Sequence, residues 1–517
     1  SLGDGGTSQG DFHEALNFSC IHNLPVVFVI QDNGWAISTP IEEQTAGGSI
    51  ASVVKGYSGM KVIELNGSDY VETVTGMHRA ISQARNEGPV AVIAKVPRIA
   101  PHSCSDNPKI YKPAELIEKE LKQDPFILFE NWLIEKEIFK KEEIDLMQEE
   151  IKSIIEKEFE EEEKAPFAKP EHLKVFKDFH LAYQKGVKRE KMTMADAINR
   201  ALLEEMEKDD AVLVFGEDVA KEKGGVFNVT KDLTKRFGED RCFNTPLAES
   251  TIIGTAVGLS FNGFKPVVEI QYSDYVWTGM NQIVNELSSV YFRSNQMWSC
   301  PVVVRMTAGG YVQGGPYHSQ SIESVFTHFP GLKIAYPSNA ADAKALLKTA
   351  VRDPNPVLFF EHKLLYRDRI FAMNEVGDEE SYLEFGKANI LHKGSDLTVV
   401  AWGYTAKIAA MLAKEIEDLV SVEVIDLRTL VPYDKQAVLE SLKKTGKIII
   451  FHEAVQTSGF GSELAAMIAK EGFYYLDAPI ERVCAKDFPI PYAKNLEDYV
   501  LPQKEDLYLS IKKMKNF

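Results

Sequence analysis

Apolar and polar positions along this chain form three successive blocks in which short buried-type strands alternate with amphipathic helices. In the first block the apolar runs fall at 25–31, 61–65 and 89–95, and a helical repeat spans 71–85. In the second block a helical repeat at 194–208 precedes apolar runs at 211–216, 266–270, 301–306 and 356–361. In the third block, which begins near Ser395, the apolar runs are 397–401, 422–426 and 447–452, and the helical repeat is 405–416. Strands that alternate with helices predict parallel sheets covered by helices on both faces, so we predict an α/β fold.

The segments between these blocks determine the predicted domain boundaries. Residues 113–164 have a charged helical pattern that ends in four consecutive glutamates, and 165–191 have the composition of a linker. The predicted parts are a first α/β domain at 1–112, a helical arm and acidic linker at 113–191, a second α/β domain at 192–380 and a C-terminal α/β domain at 381–517. Because the first domain opens with a motif already under way, we expect that its amino-terminal part is missing.

Composition narrows the class of protein. The 517-residue chain has a formal net charge of −18 at pH 7, which argues against nucleic acid as a partner. The sequence contains neither an apolar run of about 18 residues nor an amino-terminal signal pattern, so we expect no membrane contact and a cytoplasmic location. The five cysteines are scattered without CxxC spacing, and P-loop, HExxH and strand-linked GxGxxG motifs are absent. Nothing in the sequence suggests that the chain binds NAD.

Two short polar clusters carry the candidate chemistry of the first block. Asp4 lies in a glycine-rich turn at 3–6, and Asn33 and Trp35 follow an apolar strand. Together they offer a carboxylate, an amide oxygen and a backbone carbonyl, which are ligands that suit Mg²⁺. Because ligands of open α/β sheets bind beyond the carboxyl ends of the strands, we expect the two clusters to converge. The glycines allow the backbone to approach an anion, and residues 7–11 are expected to cap a helix whose amino end favours negative charge.

The order of these clusters resembles a known signature. Asp4 and Asn33 are 29 positions apart, with one helix and one buried-type strand between them, which is similar to the thiamine diphosphate motif. Residues 3–38 resemble the alpha subunit of the decarboxylating dehydrogenase in 2-oxo acid dehydrogenase complexes, although this family often has Asn at the position of Asp32 and Tyr at that of Trp35. From Met192 onward the chain resembles the beta subunit of the same enzymes. The motifs that carry this second resemblance are 215–219, 244–249, 269–275, 317–321 and 423–429.

The resemblance implies roles for individual residues. Glu249 would hydrogen-bond the aminopyrimidine ring of the cofactor and activate it, and His318 would help to deliver the acyl group to the lipoyl arm. His102 would approach the reacting centre from a loop in which Ser103 matches a position that is phosphorylated in some relatives. Tyr275 is expected to pack rather than to react. The implied catalytic residues are Glu249, His318 and His102; the implied cofactor-binding residues are Gly3, Asp4, Gly5, Gly6, Asn33, Trp35, Ile37, Gln271 and Tyr275; the implied metal ligands are Asp4, Asn33 and Trp35.

The same resemblance implies an architecture and an assembly. Two doubly wound thiamine diphosphate-binding domains, the first of them truncated, would be followed by a transketolase-like C-terminal domain. The chain would be a natural alpha–beta fusion that forms a two-fold homodimer with two sites. We expect the C-terminal domain to support dimer contacts and docking rather than catalysis.

The implied function is oxidative decarboxylation of a 2-oxo acid with thiamine diphosphate and Mg²⁺, followed by acyl transfer to the lipoyl group of a dihydrolipoyl acyltransferase. Motifs at 317–321 and 359–363 are more similar to those of branched-chain enzymes, which favours 3-methyl-2-oxobutanoate and its homologues. The alternatives are a pyruvate or acetoin dehydrogenase of the same family, an enzyme of the transketolase or deoxyxylulose-phosphate synthase type, and an inactive fragment.

Overall fold

The apolar runs predicted as strands form sheets in the computed structural model, which describes residues 1–181 and 189–517. Two units are present, Ser1–Pro170 and Glu171–Phe517, and each is described by itself. Part of the predicted linker, at 182–188, lies outside the described residues.

The first unit is built around a parallel sheet with the strand order β1-β2-β6-β5. Its strands are β1 (Leu2–Gly3), β2 (Val27–Asp32), β3 (Trp35–Ala36), β4 (Thr39–Pro40), β5 (Lys61–Asn66) and β6 (Val90–Lys95). Its helices are α1 (Gly10–Ile21), α2 (Ile41–Gln44), α3 (Ile50–Val54), α4 (Tyr70–Glu87), α5 (Ala114–Leu121), α6 (Pro125–Glu135) and α7 (Lys141–Glu163). Strand β6 is buried from Val90 to Ala94, as a continuous apolar run in a parallel sheet predicts. The predicted helical pattern at 113–164 is confirmed by α5, α6 and α7.

The second unit contains a seven-stranded sheet with the order β18-β12-β13-β11-β10-β8-β9 and a five-stranded sheet with the order β15-β17-β16-β19-β20. Strands up to the middle of the unit are β7 (Arg189–Met192), β8 (Val212–Gly216), β9 (Cys242–Asn244), β10 (Lys265–Ile270), β11 (Val303–Ala308), β12 (Lys333–Ala335), β13 (Val357–His362) and β14 (Asn374–Gly377). The remaining strands are β15 (Asn389–His392), β16 (Leu397–Ala401), β17 (Val422–Asp426), β18 (Thr429–Val431), β19 (Ile448–Val455) and β20 (Glu481–Ala485).

Helices cover both sheets of this unit. They are α8 (Met194–Lys208), α9 (Leu233–Phe237), α10 (Glu249–Phe261), α11 (Val290–Arg293), α12 (Glu323–Thr327), α13 (Ala340–Arg352), α14 (Gly403–Glu415), α15 (Lys435–Thr445), α16 (Phe460–Glu471), α17 (Lys494–Val500) and α18 (Lys504–Met514). Parallel pairing dominates both sheets, so the α/β prediction is confirmed. Two edges depart from it, because β18 is antiparallel to β12 and β15 is antiparallel to β17.

Strand β18 joins two blocks of the chain. It lies within residues predicted to belong to the C-terminal domain, yet it pairs with β12 of the preceding block through the Ile334–Val431 and Ala335–Thr429 partners. The apolar cluster that includes Phe360 also extends across both blocks to Trp402 and Ile450. The two blocks therefore share one sheet edge and one core.

A buried guanidinium connects three adjacent strands of the seven-stranded sheet. Arg305 on β11 donates to Glu269 Oε2 on β10 over 2.6 Å and to both carboxylate oxygens of Glu361 on β13 over 2.8 and 2.7 Å. Tyr366 Oη adds a bond of 2.5 Å to Glu361 Oε2. These four side chains are buried, so each charge depends on the others for its stabilisation.

Helices α8 and α13 are joined by a second buried ionic cluster. Lys344 and Lys348 occupy successive turns of α13, and each ammonium lies 2.6 Å from a carboxylate oxygen of Glu204 on α8. Arg352 pairs in turn with the neighbouring Glu205. Burial lowers the pKa of Lys344, and Glu204 opposes that effect.

No helix within the described residues has both the length and the apolar character needed to cross a lipid bilayer.

Replacing Glu204 with alanine tests the second cluster. The change leaves two buried ammonium groups without their shared carboxylate, and we expect a loss of about 3–5 kcal/mol in unfolding free energy. Urea denaturation followed by circular dichroism measures this loss. Glu380→Gln, which alters an exposed partner of Lys208 beside the same helices, serves as the control and should leave the midpoint unchanged. If Glu204→Ala changes the midpoint as little as the control does, water or another group must stabilise the two buried ammonium groups in place of Glu204.

Candidate functional site

The first polar cluster lies at the carboxyl ends of two neighbouring parallel strands. Asp4 follows β1 and is buried; its Oδ1 accepts from Gly5 N over 3.0 Å, and Asn33 Nδ2 lies 3.5 Å from the same oxygen. Asn33 Oδ1 accepts from Trp35 N over 3.2 Å, which folds the turn after β2. The structure therefore brings the carboxylate and the amide together, as expected for two clusters at the carboxyl ends of strands.

The environment of Asp4 leaves one carboxylate oxygen unused. Asp4 Oδ2 is buried and has no hydrogen-bond partner among the described residues. Burial raises the pKa of Asp4, the nearby carboxylate of Asp32 adds to the rise, and the Gly5 N–H opposes it. Asp32 itself is neutralised, since its Oδ2 pairs with the ammonium of Lys95 and its Oδ1 accepts from Gly34 N over 3.1 Å. Asp4 is thus the carboxylate of this cluster that has an oxygen left for a ligand.

The backbone around this cluster requires glycine at one of its positions. A Cβ at Gly5 would lie 2.8 Å from the Cβ of Ala36, so only glycine fits there without a shift. Gly3 and Gly6 are under less constraint, because a Cβ at Gly3 meets nothing and one at Gly6 would make ordinary contact with Leu2. Ile37 has a φ of +57°, which is strained for a β-branched residue and is typical of functional turns.

Residues 7–11 were expected to cap the first helix. Residues 5–8 form a short 3-10 turn, and α1 begins only at Gly10, where the N-cap residue Gln9 makes no side-chain cap hydrogen bond. Thr7 Oγ1 instead donates to Asp4 O over 2.7 Å. Helix α1 therefore begins within residues 7–11, as predicted, with Asp11 in its first turn, while the Thr7 hydroxyl closes the glycine-rich turn on Asp4.

The loop with His102 is tied to the turn that contains Ile37. His102 is exposed, and its N–H donates to Asp106 Oδ2 over 2.8 Å. Tyr111 Oη donates to the same oxygen over 2.9 Å, and Arg98 bonds both Tyr111 Oη and Ile37 O. The His102 N–H, Tyr111 and Arg98 lower the pKa of Asp106. Sequence analysis missed this network, although its polar residues all lie within or beside the predicted loop.

In the second unit, Glu249 is the first residue of α10. Its Oε2 accepts from Thr278 Oγ1 over 2.7 Å, so a residue 29 positions later fixes one carboxylate oxygen. Gln271 does not take part in that bond; its Nε2 donates to Asp218 Oδ2 over 3.2 Å. Thr278 was not predicted, because an isolated threonine in the short 3-10 helix Ser273–Gly279 carries no signal of its own.

Glu217 is a second carboxylate beside Glu249. It directly follows β8, is buried, and its Oε1 has no partner in the described part of the chain. Burial, followed by the charges of Glu249 and Asp218, raises the pKa of Glu217 from its usual 4.5 to about 7. Glu217 lies in the 215–219 motif but was not predicted to have a role; its place directly after a buried strand was the available signal.

His318 faces Tyr275. Its Nε2 lies 2.7 Å from Tyr275 Oη, and its Nδ1 lies 3.2 Å from Gly314 O. Because a carbonyl oxygen can only accept, Nδ1 carries a proton; in the neutral form of the ring, Nε2 then accepts from the tyrosine hydroxyl. Tyr272 stands edge-on to the His318 ring at 4.7 Å. Tyr275 therefore hydrogen-bonds a candidate catalytic group as well as packing against its neighbours.

Electrostatic interactions link Tyr275 to the two carboxylates, Glu217 and Glu249. Burial raises the pKa of Tyr275, and the negative charges of Asp274, Glu217 and Glu249 raise it further. Glu249, Glu217, Tyr275 and His318 thus form one polar surface at the carboxyl end of the seven-stranded sheet. A surface with carboxylates, an imidazole and a phenol can hold and transfer protons near neutral pH.

Comparison with family models divides the chain into three matched regions. Residues 1–171 match the Dehydrogenase E1 component, 190–369 match the Transketolase, pyrimidine binding domain, and 386–507 match the Transketolase, C-terminal domain.

Curated relatives match the second part of the chain. The 2-oxoisovalerate dehydrogenase subunit beta of Bacillus subtilis (strain 168) is 44% identical over 328 residues, which cover 63% of this chain and 99% of the relative. The pyruvate dehydrogenase E1 component subunit beta of Acholeplasma laidlawii is 41% identical over 324 residues, which cover 62% of this chain and 98% of the relative. A solved structure described as a split gene transketolase, inactive beta4 tetramer, has a TM-score of 0.53 at 21% identity and covers 63% of this chain and 99% of its own. The last likeness concerns the fold alone.

The raised pKa of Glu217 predicts a pH dependence of stability in the cofactor-free chain. Because the folded protein favours the protonated carboxyl, the stabilisation is fully present below the unfolded pKa and is lost as pH rises through about 7. Between about pH 5 and pH 8 the loss should reach up to about 3 kcal/mol. Urea midpoints at the two pH values measure it.

In Glu217→Gln the side chain cannot ionise, so the fall in stability over this pH range should shrink. Glu239→Gln, at an exposed position of the same unit, should keep the full fall. If wild type and Glu217→Gln lose the same stability, the ionisation of Glu217 does not cause the pH dependence.

Proposed function

This chain belongs to the thiamine diphosphate-dependent 2-oxo acid dehydrogenases as a fusion of their alpha-type and beta-type parts, and we propose that it decarboxylates a branched-chain 2-oxo acid and transfers the acyl group to a lipoyl group. The observation that carries the proposal is the pairing of two kinds of polar cluster on one chain. One offers an oxygen-rich, glycine-lined turn at Asp4, and the other offers Glu249 at a helix start beside an imidazole.

The turn at Asp4 fits a diphosphate held through a divalent cation. Asp4 Oδ2, which is buried and has no hydrogen-bond partner in the described ranges 1–181 and 189–517, is an atom that a cation would satisfy, and the lack of room for a Cβ at Gly5 suits close approach of backbone to phosphate. Asp4, the Asn33 amide and the Trp35 carbonyl would ligate Mg²⁺. Gly3, Gly6 and Ile37 would line the same end of the cofactor.

Bound thiamine diphosphate would supply a nucleophilic thiazolium carbon for the oxo group and a cationic ring that serves as the electron sink for decarboxylation. Glu249 would hold the ring nitrogen of the aminopyrimidine through Oε1, since Thr278 already fixes Oε2. Gln271 and Tyr275 would border the pyrimidine. Glu217, with its raised pKa, would keep a proton near Glu249 around neutral pH.

His318 would manage protons at the reacting centre. In its neutral form His318 accepts from Tyr275 Oη at Nε2, so it can take up a proton there and return it without rearranging the Gly314 contact. We assign His318 to proton transfer during delivery of the acyl group to the dithiolane of the lipoyl arm. His102 would add a second imidazole from its exposed loop.

The proposed acceptor is the lipoyl-bearing dihydrolipoyl acyltransferase of a 2-oxo acid dehydrogenase complex, and the proposed assembly is a homodimer. Membership of the E1 family supports this partner class, because the decarboxylating component of such complexes works with an acyltransferase. The branched-chain preference is supported by the 317–321 and 359–363 motifs and by similarity to the Bacillus subtilis protein. Pyruvate is the second candidate substrate. It is supported by the Acholeplasma laidlawii protein, whose sequence identity to this chain is close to that of the Bacillus subtilis protein.

Glu249→Gln tests the assigned chemistry. We expect its rate of 2-oxo acid decarboxylation, followed with an artificial electron acceptor, to fall by at least about 100-fold because a carboxamide cannot supply the same proton equilibrium. Binding of thiamine diphosphate with Mg²⁺, measured by titration calorimetry, should remain. Glu463→Gln, an exposed carboxylate in the first turn of α16, is the matched control and should keep full activity. An unchanged rate in Glu249→Gln would refute this site assignment.

Substrate competition tests the branched-chain preference. With lipoyl domain as acceptor, kcat/KM for 3-methyl-2-oxobutanoate should exceed that for pyruvate by about tenfold or more, because each methylene buried in a fitted apolar pocket improves discrimination by roughly that factor. Measuring both substrates on the same protein preparation removes differences in active fraction. A ratio that favours pyruvate would instead support the second candidate.

A further inference from the structure

The loop between β11 and α12, residues 309–320, contains His318 in an unusual backbone conformation. Four of its residues have positive φ: Gly309 at 87°, Tyr311 at 62°, Gln313 at 55° and Gly315 at 66°. Two of these are not glycine, so the conformation is unfavourable in isolation. Such strain persists only where surrounding contacts determine the backbone, and it concentrates at functional sites.

Contacts from the C-terminal part of the chain fix the backbone conformation of this loop. Gln313 N donates to Glu497 Oε1 on α17 over 2.9 Å, and Gly310 N donates to Glu453 Oε1 on β19 over 2.5 Å. Tyr311 Oη donates to Pro502 O over 2.7 Å. Gly310, Tyr311 and Gln313 are therefore each hydrogen-bonded to residues more than 140 positions later in the sequence.

Packing reinforces these bonds. The Tyr311 side chain contacts a small apolar cluster whose buried members are Ala485, Ile490, Val500 and Leu501. A Cβ at Gly310 would lie 2.6 Å from Leu501 Cδ1, so the backbone presses directly against this cluster. Residues on and beside α17 thus form the surface that shapes the loop.

The other end of the loop is held from the sheet side. Gln320 N donates to Asp274 Oδ1 over 3.0 Å, and Gly309 N donates to Gln320 O over 3.2 Å, which closes the loop at its base. With both ends fixed, His318 points at Tyr275 Oη. A shift at Gln313 would reach His318 through only the few intervening residues.

The carboxylates that hold the loop also act electrostatically on one buried ammonium group. Lys363 is buried, its ammonium has no hydrogen-bond partner among the described residues, and Asp274, Glu453 and Glu497 all act on it electrostatically. His362 adds a donor, since its Nε2 lies 2.7 Å from Glu453 Oε2 while its Nδ1 accepts from Leu364 N. Buried carboxylates near a shared cation resist displacement because any separation leaves a charge uncompensated.

We propose that Glu497 is a positioning residue for the reaction: it accepts the Gln313 N–H, fixes the strained loop, and thereby directs His318 toward Tyr275. The inference rests on the proposed function, because it assumes that His318 acts in acyl transfer. It assigns a part in activity to the C-terminal block, which sequence analysis connected only with assembly and docking.

A double-mutant cycle in the full chain with thiamine diphosphate and Mg²⁺ tests the proposal. We expect His318→Gln to slow acyl transfer to lipoyl domain about 100-fold and Glu497→Met, which keeps volume but accepts no hydrogen bond, about tenfold. The double variant should be no slower than His318→Gln alone, because Glu497 acts through His318. Glu497→Gln, whose amide oxygen still accepts from Gln313 N, should recover most of the rate.

Controls separate positioning from general stability. Asp498→Asn, on the same helix and paired with Lys494 at the surface, should leave the rate unchanged. Cofactor affinity should be equal in all variants, and Glu497→Ala replaces Glu497→Met in the cycle should the methionine prevent folding. Multiplicative losses in the double variant would overturn the proposal, as would a Glu497→Gln rate as low as that of Glu497→Met. A His318→Gln protein with full activity would instead remove the role of His318 in the proposed function, and the inference with it.

Discussion

The second unit depends on how Arg305 is neutralised at the centre of its main sheet. One guanidinium on β11 bonds Glu269 on β10 and Glu361 on β13, so three neighbouring strands are held in one register by side chains that water does not reach. Burial raises the pKa of Glu269, and Arg305 opposes the rise. Removing any member would leave an uncompensated charge in the sheet, which costs far more than the net value of the intact cluster.

The candidate chemistry begins where those three strands end. Tyr275 lies in the turn after β10, the loop that contains His318 follows β11, and Lys363 directly follows β13. Because the three strands share one register, these groups lie together at the carboxyl end of the sheet, as expected for open parallel sheets. The first unit uses the same principle on a smaller scale, because Asp4 and Asn33 follow the adjacent parallel strands β1 and β2.

Local pattern predicted much of this framework, and long-range contacts account for most of what it missed. Strands β16 and β17 and helix α8 have the predicted bounds, since each is long and periodic enough to be recognised alone. Strand β12 and helix α13 were not predicted; β12 has three residues and owes its conformation to pairing with β13 and β18. The convergence of Asp4 and Asn33 was predicted from the position of both clusters at the ends of sheet runs, although strand β1 itself was not predicted. The bonds from Glu453 and Glu497 to the loop span 143 and 184 residues, and no spacing rule reaches that far.

The integration of the C-terminal block changes how the second unit is best understood. A domain that served only for docking could be joined to the rest through a polar, exchangeable surface. Here it supplies an edge strand, β18, to the main sheet and two buried carboxylates to a strained loop. Burying those carboxylates is costly unless each bond is made, so folding of the C-terminal block favours the observed shape of the loop. Folding of the C-terminal block and the position of His318 are therefore coupled, and the physical basis of that coupling is the need to satisfy buried charge.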